Sequence, residues 1–199
     1  MGKGRLEAFS DGVIAILITV MVLDLHVPQG GSLADLRPLL PLVLSYALSF
    51  VFLAIYWNNH HHLFQAVEQV SGGVLWANAH LLFWLSLVPF TTAWIGQEQW
   101  APWPIALYGV DLLLCGVAYY ILARALIARE GQDSTIAAAI GRDRKGKISL
   151  LVYMVAIPCA FYHPGLSYAC YVAVACLWLV PDRRIERALE ATGAARSER

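Results

Sequence analysis

Apolar residues run along this chain in long unbroken blocks, divided by short polar stretches rich in Gly, Pro, Asp and Arg. The blocks predict helices over about 8–26, 38–58, 74–96, 103–127, 147–162 and 165–181. Most are close to the ~20 residues a helix needs to cross the hydrocarbon of a bilayer, and the last two are shorter. His163-Pro164-Gly165 divides that last pair, because a proline and glycine together cannot continue a helix. A single re-entrant hairpin is the rival reading of the pair. Two short or tilted spans are preferred, because Lys147 precedes the pair and Arg183 and Arg184 follow it, with cations at both outer ends.

Composition agrees with the pattern. Of 199 residues 59% are apolar and 14% charged, and the mean hydropathy is +0.59. Soluble domains carry about a quarter charged residues, so an ordinary soluble core is excluded and an all-α membrane protein with six transmembrane helices is expected. The expected layout is a six-helix membrane domain over 1–181 and a polar tail over 182–199 that reads as a frayed helix. No repeat relates the fourth block to the first, so the inverted-repeat logic of many transporters does not apply.

The net charge is +0, but its distribution has a direction. With six spans, every Lys and Arg except Arg37 falls on the side that holds both termini and the loops near 59–73 and 128–146. The positive-inside rule then places both termini in the cytoplasm of a cell whose cytoplasmic membrane the chain spans. An odd number of spans would scatter those charges over both faces. The first block is expected to be retained rather than cleaved, since Glu7 and Asp11 follow the basic start and no A-x-A site precedes Pro28. Cys115, Cys159, Cys170 and Cys176 all sit in apolar blocks without a C-x-x-C pair, which supports neither a disulfide framework nor a metal site.

The first block carries the most informative polar residues. At about 100° per residue, Gly12, Ile16, Thr19 and Leu23 fall within about 60° of one another, and Asp11 lies about 140° from Ile16. An ionised carboxylate facing lipid is costly, so Asp11 must turn to another helix or a wet vestibule. The Thr19 stripe is left to face lipid, a neighbouring helix or a central pathway. Helix packing, with the hydroxyl bonded back to its own backbone, is the plain alternative for Thr19.

R-L-E-A-F-S-D, Arg5 to Asp11, resembles the R-x-x-x-F-S-D signature that opens the first helix of the transmembrane protein 175 family of potassium channels. W-N-N-H-H (Trp57 to His61) resembles the W-x-x-H-H pattern of that family's second helix, and N-A-H-L (Asn78 to Leu81) followed by P-F-T (Pro89 to Thr91) resembles its third. Three motifs in the expected order cover the first half of the chain, and the second half matches only in hydropathy and span count. The resemblance implies a cation channel that prefers K⁺ without a T-V-G-Y-G carbonyl filter, a run absent from this sequence. It also implies a homotetramer with the first helix lining a central pore, and a constriction of aliphatic side chains at Ile16 and Leu23 with Thr19 between them. No cofactor is implied beyond the permeating K⁺ ions, and the partners are other copies of the chain and the lipid bilayer.

Arg5, Phe9, Ser10 and Asp11 then read as a structural network off the pore, tying the first helix to Trp57 and His60 on the second and to Asn78 and His80 on the third. His60-His61-His62 does not make a metal site, because consecutive helical residues point in different directions. Asp24 and Asp35 read as outer-side charges that concentrate cations, or as plain loop charge, and Asp111 as an outer-end polar residue. Most tryptophans read as an interfacial belt. A proton-coupled carrier using Asp11 and His80 is the rival function, disfavoured because Asp11 lies near one end and no broken helix pair marks the midplane. An enzyme is not expected, since no nucleophile–base spacing stands out.

Overall fold

The computed structural model describes residues 2–67, 69–131, 134, 137 and 143–179. The tail expected over 182–199 lies outside the described residues. Among the described residues there is no strand, and the helices are α1 (Lys3–Met21), α2 (Leu40–Gln65), α3 (Gly72–Leu85), α4 (Val88–Gln97), α5 (Pro102–Glu130), α6 (Arg144–Cys159) and α7 (Pro164–Leu179). A 3₁₀ turn over Val22–Asp24 extends α1, and another over Leu33–Leu39 leads into α2. Ser32 opens that second turn, donating from its backbone N–H and its hydroxyl to Asp35 Oδ2 at 2.9 and 2.8 Å.

Among the described residues four segments are long and apolar enough to cross a membrane: Lys3–Asp24, Leu33–Gln65, Gly72–Gln97 and Pro102–Glu130. They coincide with the first four expected blocks. The last two blocks form α6 and α7, of 16 residues each, and a helix of that length reaches about 24 Å.

The third block is two helices rather than one. Pro89 occupies the first turn of α4, and with no N–H it cannot bond the carbonyl one turn back. The chain closes α3 through Ser86 N–H to Leu82 O at 2.9 Å and Leu87 N–H to Trp84 O at 3.0 Å, then restarts. Thr92 Oγ1 donates to Val88 O at 2.6 Å just past the break, a side-chain bond back to its own helix.

α2 and α5 hold the bundle together, since each contributes to both buried clusters. One cluster joins α1, α2, α3, α5 and the first residue of α4 through Ile14, Met21, Leu53, Phe64, Leu81, Leu85, Val88 and Leu122. The other joins α2, α4, α5, α6 and α7 through Phe52, Ile95, Tyr108, Leu112, Tyr153 and Tyr171. In lipid the apolar surface itself gives helices little reason to associate, so close packing and interhelical hydrogen bonds must hold them. Both are present. A Cβ on Gly96 would lie 2.5 Å from Ser45 Oγ and 2.6 Å from Leu42 Cδ1, so only glycine lets α4 approach α2 this closely. Thr92 Oγ1, its proton given to Val88 O, lies 2.6 Å from Ser49 Oγ and accepts there, and Ser49 Oγ lies 2.9 Å from the Tyr108 hydroxyl, linking α4, α2 and α5.

Asp111, expected as an outer-end polar residue, is held by a partner on another helix. It is 4% exposed and accepts from Thr91 Oγ1 at 2.9 Å. The restart of the helix at Val88 sets α4 along α5 with Thr91 facing the carboxylate, a pairing between helices that periodicity along either one does not reveal.

Candidate pore helix and its anchoring network

α1 has two faces of opposite character. Leu6, Ser10, Ile14 and Met21 are buried, spaced by whole pairs of helical turns or by four residues, and they pack onto the rest of the subunit. The opposite stripe of Gly12, Ile16, Thr19 and Leu23 is exposed throughout. Ile14 is 1% exposed and Ile16 60%, although they are two residues apart in one helix. The stripe predicted from the wheel therefore faces away from the subunit's own helices.

Thr19 Oγ1 donates to Ile16 O at 2.9 Å, an i−3 bond to its own helix. That bond uses the hydroxyl's one proton and leaves its oxygen an acceptor only. Asp11 faces the other way, as expected, and accepts from Trp57 Nε1 on α2 at 3.1 Å.

The buried anchor sits behind this face. Ser10 Oγ donates to Leu6 O at 2.9 Å and accepts from Asn78 Nδ2 on α3 at 2.9 Å. Asn78 Oδ1 lies 2.8 Å from His60 Nε2 on α2. The direction of every bond follows: an amide oxygen accepts, so His60 carries its hydrogen on Nε2. His60 Nδ1 is then a bare lone pair, and it is buried without a hydrogen-bond partner among the described residues, as is His62 Nδ1. Ser10, Asn78 and His60 are 0%, 1% and 1% exposed, so one chain of side chains joins α1, α3 and α2 out of contact with solvent.

Of the residues expected in this network, Ser10, Asp11, Trp57, His60 and Asn78 come together. The other three do not. His80 Nε2 accepts from Trp84 Nε1 on its own helix at 2.9 Å, because Trp84 lies one turn ahead on the same face. Arg5 is exposed and Phe9 is 57% exposed, both on the outward side of α1. Asp11 and His80 share no hydrogen bond, which takes the direct relay out of the carrier reading. Among the described residues no group of three or more His, Cys, Asp or Glu side chains is placed to hold a metal. Outside the expected set, the Ser49–Thr92–Tyr108 link and the Thr91–Asp111 pair carry buried polar contacts of the same kind; P-F-T-T in the third block was the available signal for both.

An all-helical fold with four segments fit to cross a bilayer, bound together by buried polar side chains, defines a polytopic membrane protein. Comparison with known proteins names its kind. Residues 5–89 match the family described as the endosomal/lysosomal potassium channel TMEM175. A potassium channel of Chryseobacterium sp. (strain P1-3) is 52% identical over 190 residues, covering 96% of this chain and 99% of that one. A potassium channel of Streptomyces collinus is 30% identical over 181 residues, covering 85% and 87%. The crystal structure of a lysosomal potassium-selective channel TMEM175 homologue from Chamaesiphon minutus superposes with a TM-score of 0.78 at 28% identity, covering 89% of this chain and 96% of that one. The chain belongs to the TMEM175 family.

Proposed function

We propose that this protein is a potassium channel, assembled as a homotetramer of six-span subunits with α1 around a central pore. The observation that carries the pore assignment is the division of α1: Ser10 and Asp11 are held against α3 and α2, while Ile16, Thr19 and Leu23 stay exposed. An exposed stripe needs an occupant, and one subunit cannot enclose a path. Closed symmetry brings the same stripe from each copy to one axis. The full-length similarity to bacterial potassium channels supplies the permeant ion.

A ring of Ile16 side chains closes by excluding water and penalises ions that dehydrate at high cost, which favours K⁺ over Na⁺ modestly. Thr19, with its proton already committed to Ile16 O, presents an acceptor oxygen next to that ring and replaces part of the lost hydration shell. Leu23 forms a second apolar ring a turn further out. Under this reading α6 and α7 complete six short and long spans, and the excess of Lys and Arg places both termini in the cytoplasm of the cell membrane.

The test is ion flux through purified protein in liposomes. Ohmic, K⁺-preferring current supports the channel, and obligatory stoichiometric exchange of H⁺ for substrate overturns it. The pore assignment is tested separately by Ile16→Asn, which should raise conductance and erode K⁺/Na⁺ discrimination; unchanged current and selectivity remove Ile16 from the constriction.

A further inference from the structure

A second feature of the fold belongs neither to α1 nor to its anchor. α2, α5, α6 and α7 enclose a cavity of about 130 Å³, a volume close to the ~150 Å³ apolar cavity that accepts benzene in an engineered protein. Its lining is graded. Phe52, Tyr56, Gly116, Tyr153 and Trp178 make the apolar part, and Asn59, Asp143 and Lys147 are gathered at the end formed by the last turns of α2 and the first turn of α6. From Phe52 to Asn59 along α2 is about 10 Å, so the grading runs over two helical turns.

The polar end is basic. Lys147 and Arg144 are exposed there, and Lys145 Nζ stands 5.9 Å over the Trp178 ring. The acid of the lining among the described residues, Asp143, is turned into the helix end: it accepts from Gly146 N–H at 3.1 Å with its backbone in the left-handed region at φ 40°. Trp178 Nε1 is satisfied by Ser149 Oγ at 2.9 Å, which leaves its ring as apolar wall. A cavity that is aromatic in depth and cationic at one rim matches an amphiphile with an anionic head.

We propose that this cavity binds one acyl chain of an anionic phospholipid, with the phosphate held by Lys147 at the start of α6. The assignment rests on the membrane-spanning reading with this end at the cytoplasmic face, where anionic headgroups meet basic residues. The volume admits part of one chain and not two. The polar tail over 182–199, with Ile185 and Leu189 as its large apolar residues, is a poor occupant for an aromatic wall.

The experiment uses the full chain in vesicles of phosphatidylcholine, with a rising fraction of phosphatidylglycerol or phosphatidylcholine brominated in the acyl chain, and K⁺ flux recorded on the same vesicles. Quenching due to Trp178 is taken as the difference between the wild type and Trp178→Phe. The expected result is half-maximal quenching at a lower mole fraction of brominated phosphatidylglycerol than of brominated phosphatidylcholine, by about fivefold for the lysine engaged. Lys147→Ala, at an exposed position, should cut that preference by about fivefold, and Gly116→Leu should abolish the Trp178 quenching while leaving the other tryptophans quenched. Equal half-points for the two lipids, or competition by free inorganic phosphate alone, would overturn the proposal. So would quenching seen only after residues 182–199 are removed, which assigns the cavity to the tail. Ohmic K⁺ flux with no lipid preference sinks the lipid site alone, and lipid preference without K⁺ flux sinks the channel reading alone.

Discussion

Asn78 donates from Nδ2 to Ser10 Oγ at 2.9 Å, across two helices and 68 positions of sequence, in a site that excludes solvent. Because Ser10 passes its own proton to Leu6 O and Asn78 accepts from His60, each member of the chain has a fixed role. The anchor therefore sets the rotation of α1 relative to α2 and α3, and with it the direction of the outward stripe.

Removing the central member should hurt most. Interhelical hydrogen bonds in membranes average about 0.6 kcal/mol and reach about 1.7. Asn78→Leu cuts two of them and leaves His60 Nε2–H buried without an acceptor, so a loss of about 1–3 kcal/mol is expected. Ser10→Ala should cost less, and the double variant less than the sum. Thermal unfolding of the detergent-solubilised protein measures all three; full additivity would show that the residues do not act as one network.

Asp11 should depend on its acceptor oxygen more than on its charge. Asp11→Asn retains an oxygen for Trp57 Nε1, so it should assemble better than Asp11→Ala, as read by size-exclusion chromatography. Since Trp57 is 44% exposed, Trp57→Phe should cost only about 0.5–1 kcal/mol in the subunit.

Gly96→Ala tests the approach of α4 to α2. The added methyl meets Ser45 Oγ and the Leu42 side chain well inside normal contact, so overpacking of about 1–3 kcal/mol is expected. A melting temperature equal to the wild type's would mean the helices separate freely there.

Asp111→Asn should be tolerated, since the amide oxygen still accepts from Thr91 Oγ1. Asp111→Leu removes that acceptor, and unfolding midpoints should fall for Leu and hold for Asn.

How far these relationships were legible in the sequence depends on whether they lie within one helix or between two. Helical periodicity separated Ile16 and Thr19 from Asp11, because faces of one helix follow from spacing alone. The first four spans followed from apolar run length. The break after Leu85 was signalled by Pro89, but the block was uniformly apolar and read as continuous. Partners across helices were another matter. Asp11, Ser10, His60, Asn78 and His80 were gathered by family motifs rather than by physics, and His80 is held instead by a tryptophan one turn along its own helix. Arg5 and Phe9 share the signature with Ser10 but fall on the outward side of α1. Asp111 shows the same limit: its burial depends on how α4 is set against α5 after the break.

Ile14 and Ile16 carry identical side chains, yet one is committed to the interior at 1% exposure and the other stands 60% exposed. Substitutions along the outward line of α1 thus leave the fold's internal contacts intact. Under the proposed pore assignment, the property hosted by that line can drift, be selected and be redesigned without renegotiating the architecture beneath it, so divergent conduction behaviour within one scaffold is evolutionarily cheap.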